Sequence, residues 1–182
     1  MRLELAPETR VLIDLRATGL LRAVGHDPTL SARPEPQPID IGEGSTVVAS
    51  INVRFRADTI EPPEDIPASD RKKMRENMCS PEVLDASRFP TIDFLGRYVG
   101  TREQGTLSGG LWIRGASRPV SMGMDVLWGE GPIFARGTWE GRLTDLGIKP
   151  FRALLGTLKL EDWIRLRLQA SLFCAPVIEN AR

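Results

Sequence analysis

One histidine bounds the chemistry available to this chain. His26 is the only one in 182 residues, so a metal site built from several histidines is excluded. It stands in a Gly25-His26-Asp27 step, and two readings of it stay open. An imidazole with an ordinary pKa of about 6.5 can bond a ligand head group or, with Asp27, serve a hydrolase or isomerase. It can equally be satisfied by Asp27 or by a backbone carbonyl in a turn. Arg114 and Arg118, in the run Arg-Gly-Ala-Ser-Arg-Pro, offer planar forks that match an anionic head group. The plain alternative is a pair of solvated arginines in a hairpin turn, or bridges to acids such as Asp93 or Glu140. Asp85 with Asp93, or Glu140 with Asp145, would form an acid–base pair only if the fold joined them. A Gly-x-Ser-x-Gly elbow, a P-loop, a Gly-x-Gly-x-x-Gly turn and Cys/His metal spacings are all missing. No catalytic residue is assigned, the chain reads as a non-enzyme, and it needs no metal or redox cofactor.

Composition narrows the partners. Lysine plus arginine and aspartate plus glutamate each number 24. A balanced charge argues against a general nucleic-acid binder, whose affinity rests on neutralising phosphates. Cys79 and Cys174 are too few for a disulfide framework and are expected to pack as small hydrophobes. No run approaches the roughly 18 apolar residues of a membrane span. The opening MRLELAPETRVLIDL lacks the features of a signal peptide. The expected compartment is therefore the cytoplasm, or the periplasm if the start is wrong.

The elements that would position these residues are mostly strands. Thr9–Arg16 sets Val11, Ile13 and Leu15 against Arg10, Asp14 and Arg16. Leu20–Val24 and His26–Arg33 form the next strand with a break at Gly25. Residues 34–44, rich in proline and glycine, read as a surface loop. Val47, Ala49, Ile51, Val53 and Phe55 then share one face. Further strands are expected at Thr91–Val99, Thr106–Arg114, Pro119–Trp128, Ile133–Leu143 and Trp163–Phe173. Residues 69–79 read as a helix capped by Ser69 and ended before Pro81, followed by a turn over Pro81–Ala86. Pro150–Gly156 reads as one helical turn. Strands with one apolar face and Gly-containing turns, recurring about every dozen residues, indicate an all-β domain closed as a barrel of about eight strands. One domain spans 1–182, with its core at 9–173.

Three ordered blocks then carry a resemblance. The first is Met78…Val83-Leu84-Asp85…Phe89-Pro90-Thr91-Ile92-Asp93-Phe94. The second is Gly110-Leu111-Trp112-Ile113-Arg114-Gly115 with Ser117-Arg118-Pro119-Val120. The third is Gly147-Ile148-Lys149-Pro150-Phe151 with Leu154-Leu155-Gly156 and Leu158-Lys159-Leu160-Glu161-Asp162. Together they resemble the YceI-like family, the lipocalin-like polyisoprenoid-binding proteins. Asn77 stands where relatives often hold a histidine before the first block.

The resemblance implies an antiparallel, lipocalin-like barrel holding a polyprenyl lipid, a quinone or a similar amphiphile. Val53, Phe55, Phe94, Leu111, Ile113, Met122, Met124, Trp128 and Trp139 sit on apolar faces that either line a cavity or fill a core, since parity alone cannot separate the two. His26, Arg114 and Arg118 are the head-group candidates. Met74, Met78, Leu84, Phe151 and Leu155 are the expected lid. The partner is a small hydrophobic or amphiphilic lipid, and a homodimer is compatible with the sequence. The alternative from another class is a barrel filled by its own side chains that acts as a structural or partner-binding module.

Overall fold

Alternating apolar and polar residues give this chain its strands, and the pairing of those strands closes them into a ring. The computed structural model describes residues 1–18, 27–42, 44–153 and 158–174. In chain order these form β1 Arg2–Leu5, β2 Arg10–Thr18, β3 Thr29–Ala32, β4 Pro38–Gly42, β5 Val47–Arg56, α1 Ala68–Cys79, β6 Thr91–Gly100, β7 Gln104–Ile113, β8 Ala116–Leu127, β9 Ile133–Gly141, β10 Arg152–Ala153 and β11 Leu158–Cys174. Neighbours run β1-β4-β5-β6-β7-β8-β9-β11, and β11 pairs back to β1. The result is a closed antiparallel barrel of eight strands, with no free edge along the ring.

Two walls of the barrel are each built from two strands. β1 and β2 lie end to end along β11, pairing Leu3 with Cys174 and Val11 with Leu168. Pro7, which has no N–H to give, falls in the gap. Thr9 fills it: its hydroxyl donates to the Ser171 carbonyl at 3.0 Å and accepts the Ser171 N–H at 3.1 Å. β4 pairs β1 and β3 pairs β2, so the next wall is interrupted in the same way. The expectation of a loop over 34–44 is corrected here. Ile39 and Ile41 alternate with Asp40 in β4, and Pro38 sits at the first strand position, where a missing donor is tolerated. β1 was also unforeseen, although Leu3 and Leu5 alternate; the barrel therefore begins before residue 9.

The interior has two parts. Leu3, Ile39, Val47, Tyr98, Met124 and Leu172 belong to one buried cluster, and Leu15, Met78, Leu84, Ile113, Leu146 and Ile164 belong to the other. The second lies at the end closed by α1. That helix follows Pro67 with no side-chain cap, and Ser69 is already inside its first turn, so the expected Ser69 cap does not form. Ser80, extended before Pro81, ends it as expected. The Leu84 N–H then donates to the Met78 carbonyl at 3.0 Å, which sends Leu84 into the barrel beside Met78. Burying two such side chains is worth roughly 2 kcal/mol each.

Candidate functional site

The site is an apolar cavity of about 120 Å³ in the half of the barrel away from α1. Its wall is the inner face that strand parity creates. β5 supplies Val47, Ala49, Ile51, Val53 and Phe55, all five residues that alternation placed on one face. β1 and β4 add Leu3, Leu5, Ile39 and Ile41, β8 and β9 add Met124, Val126, Ile133 and Ala135, and β11 adds Leu168, Ala170 and Leu172. Three polar side chains reach the wall, Thr9, Tyr98 and Thr101. Each spends its hydrogen bonds on the wall itself. Thr9 is tied to Ser171, the Tyr98 hydroxyl donates to the Thr101 carbonyl at 2.7 Å, and the Thr101 hydroxyl accepts from the N–H groups of Glu103 and Gln104. Burial pushes the Tyr98 phenol above its ordinary pKa, so it stays neutral. Apart from the Trp128 indole N–H near the mouth, the lumen therefore offers no charge and no free polar partner, only dispersion and exclusion of water.

The mouth differs from the lumen. Trp128 stands at the end of β8, lines the cavity, and keeps its indole N–H buried without a partner among the described residues. The Arg102 guanidinium, from the turn between β6 and β7, lies 4.9 Å from the Trp128 ring centroid. A cation on an aromatic face at the rim forms an amphipathic lip. Arg102 was not singled out from the sequence. Its signal was its place in the only turn that joins Gly100 to Gly105, two glycines over which the Tyr98 ring folds.

The sequence-predicted residues divide between cavity wall and packed interior. Val53, Phe55, Met124 and Trp128 line the cavity. Phe94, Leu111, Ile113, Met122 and Trp139 pack in the same side-chain clusters without lining the cavity. Glycine explains part of this: the Phe94 ring lies against Gly96, 2.7 Å from where a Cβ would be, and Trp139 lies against Gly141 in the same way. At these two positions the ring folded on a glycine fills the lumen rather than walling the void.

Two of the head-group candidates, Arg114 and Arg118, do not meet the cavity. Arg114 donates to the carbonyls of Glu82 and Val83 at 3.2 and 2.5 Å, which fastens the turn after α1. Arg118 faces inward near Gly147, and its Nε is buried without a partner among the described residues. Both belong to the α1 end. His26 and Leu155 lie outside the described residues. Asp27 accepts the Ala17 N–H at 3.0 Å, a structural bond.

Met74, Met78 and Leu84 pack on the filled half and form a fixed plug there; none lines the cavity, so the expected lid closes the opposite end. Phe151 is half-buried just before β10. Cys79 is half-buried, but Cys174 is exposed, which corrects the expectation that both are packed.

The paired-carboxylate expectation also resolves into ion pairs. Asp93 bonds Arg54 at 2.6 Å, Glu140 bonds Arg165 at 2.7 Å, Asp145 bonds Arg142 at 3.1 Å and Asp85 bonds Arg88 at 3.3 Å. Each of these four carboxylates is held by an arginine. Among the described residues, no set of three or more His, Cys, Asp or Glu is placed to hold a metal. No helix among the described residues is long and apolar enough to cross a membrane. A separate groove of about 520 Å³ lies on the outer wall between Arg54, Phe89, Asp93, Leu95 and Trp112.

No curated protein matches the chain. Among solved structures, Burkholderia cenocepacia BcnA superposes with a TM-score of 0.62 at 11% identity, over 92% of this chain and 97% of that one. The Campylobacter jejuni YCEI protein superposes with a TM-score of 0.52 at 15% identity, over 86% and 82% of the two chains. Likeness at that identity speaks for the fold. The sequence itself matches the YceI-like domain over residues 31–172. A closed eight-stranded barrel with an apolar lumen, the ordered blocks around Asp85, Arg114 and Pro150, and this match agree: the chain belongs to the YceI-like family, whose barrels bind hydrophobic ligands.

Proposed function

We propose that this protein sequesters a single amphiphile by its apolar tail, in the class of isoprenoid alcohols, quinones or similar single-chain lipids. The observation that carries the reading is the lumen of about 120 Å³, whose hydroxyl side chains all turn their hydrogen bonds into the wall. The tail occupies the lumen, and the polar end rests at the Trp128–Arg102 lip.

Size sets the terms of binding. A dry cavity of about 150 Å³ holds a benzene, so the lumen at rest accepts about six carbons of a chain. At about 0.8 kcal/mol per buried methylene that yields roughly 5 kcal/mol, before the loss of translational freedom. A longer prenyl chain binds tightly only if the wall yields or the chain continues along the mouth. Burial of a whole chain in a rigid lumen is therefore ruled out as the source of affinity.

Native mass spectrometry of the purified protein, followed by organic extraction and titration with farnesol, tests the reading. The expected result is a one-to-one adduct, from the preparation or on titration. Ala49→Leu, a substitution at a 3% exposed wall position, is expected to fill the void and reduce farnesol binding at least tenfold with little change in thermal midpoint. A clean apo mass with no saturable farnesol binding would sink the proposal. The same result would favour the second reading, a barrel filled by its own side chains. The packed half of the interior is the observation on that side.

A further inference from the structure

The strand ends around the cavity mouth carry a feature that the cavity does not require. Seven large apolar side chains stand exposed among the described residues. Leu95 and Trp112 belong to the outer groove. The rest gather at the mouth: Leu127 is 68% exposed, Phe134 50%, Val99 44% and Phe173 44%, with Met1 near them. Val99, Leu127, Phe134 and Phe173 each lie within two residues of the mouth end of β6, β8, β9 and β11. Leu127 faces Phe134 across one ladder, and Phe134 faces Ser171, two residues from Phe173, across the next.

Ring order decides what covers them. β6 stands half-way round the barrel from β11, so Val99 and Phe173 look out on opposite sides. A flat protein surface or a second copy reaches one side of such a collar. A medium that surrounds the barrel end reaches all of it. The lip adds matching chemistry, because an indole and a stacked guanidinium combine an apolar body with a polar tip and settle at the boundary between acyl chains and head groups. With 24 cationic and 24 anionic side chains, the chain has no net charge to draw it to anionic lipid.

We infer that the mouth end of the barrel docks into the head-group boundary of a lipid layer, apolar collar inward, so that a tail passes between layer and lumen without crossing water. The inference extends the ligand reading above, yet it can fail alone. The test uses the full chain with phosphatidylcholine vesicles, with and without brominated acyl chains. Co-flotation and tryptophan quenching by the bromines are expected, and Trp128→Phe should remove most of that quenching. Leu127→Glu combined with Phe134→Glu should lower vesicle partitioning at least tenfold. Leu95→Glu in the outer groove should leave it unchanged, and adding phosphatidylglycerol should alter it less than about twofold. Absence of flotation, or equal loss in the Leu95 variant, overturns the inference. Self-association that the Leu127/Phe134 variant abolishes in lipid-free solution also overturns it, because the collar then belongs to a second copy. Farnesol binding without vesicles separates the two proposals: if it persists while flotation fails, only the docking falls.

Discussion

Asp14 shows how much one side chain does on the wet face of this barrel. Its carboxylate accepts two hydrogen bonds from Arg167 at 2.7 Å and one from Thr29 at 2.8 Å, linking β11, β2 and β3 in a single clasp. The bond from Arg167 is the main reason that the Asp14 carboxyl sits below its ordinary pKa. A depressed carboxyl stabilises the fold fully above the unfolded value of about 4, and that contribution is lost as pH falls through the folded value. Asp14→Asn should cost about 1 kcal/mol at neutral pH, after allowing for screening of a partly exposed pair. The gap between wild type and variant in urea melts should close below about pH 4. A gap that is constant from pH 7 to pH 3 would remove the clasp from the account.

At the scale of elements, the plug deserves separation from the cavity it was expected to guard. α1 contributes Met78 to the filled half, and the turn behind it is held by Arg114, which reaches from the β7–β8 turn to two carbonyls. Arg114 itself has a φ of +51° and Gly115 a φ of +74°, the paired left-handed geometry of a tight hairpin turn. Arg114→Ala should therefore free the 81–84 turn and destabilise the barrel by about 1–2 kcal/mol while farnesol affinity changes less than about threefold. A large loss of affinity with unchanged stability would restore Arg114 as a ligand contact. The long strands were legible because β5 through β9 and β11 alternate over nine residues or more, and the helix stop was legible because Pro81 dictates it. β1 and β4 were not, since four or five residues flanked by prolines look like loop until a partner strand pairs them. Parity identified which residues face inward, such as Val53 and Trp139, but depth along the barrel decides between wall and filler. Depth depends on closure and on which large rings fold onto which glycines, and neither is local in sequence.

At the scale of the whole molecule, two neighbouring staves of this barrel, β1 and β4, are far shorter than the others. β1 completes the ring at the mouth with only four residues, held by Leu3, Glu4 and Leu5 against Leu172, Phe173 and Cys174 on one side and by Arg2, Leu3 and Glu4 against Asp40, Ile39 and Pro38 on the other. Short, briefly paired elements open at far lower free energy than long ones, so amide exchange should be faster in β1 than in the long ring strands β5 to β9 and β11. Because β1 walls the cavity with Leu3 and Leu5, its release would create a side door without disturbing the plug or the rest of the ring. The pairing also supplies a bolt. Leu3 lies directly across from Cys174, a free and exposed thiol, within the span a disulfide can bridge between antiparallel neighbours. Leu3→Cys, oxidised, should lock the door and slow both entry and exit of farnesol at least tenfold in stopped-flow measurements, with reduction restoring the rates. If locked and unlocked barrels exchange ligand equally fast, traffic runs through the mouth alone and the wall is not a gate.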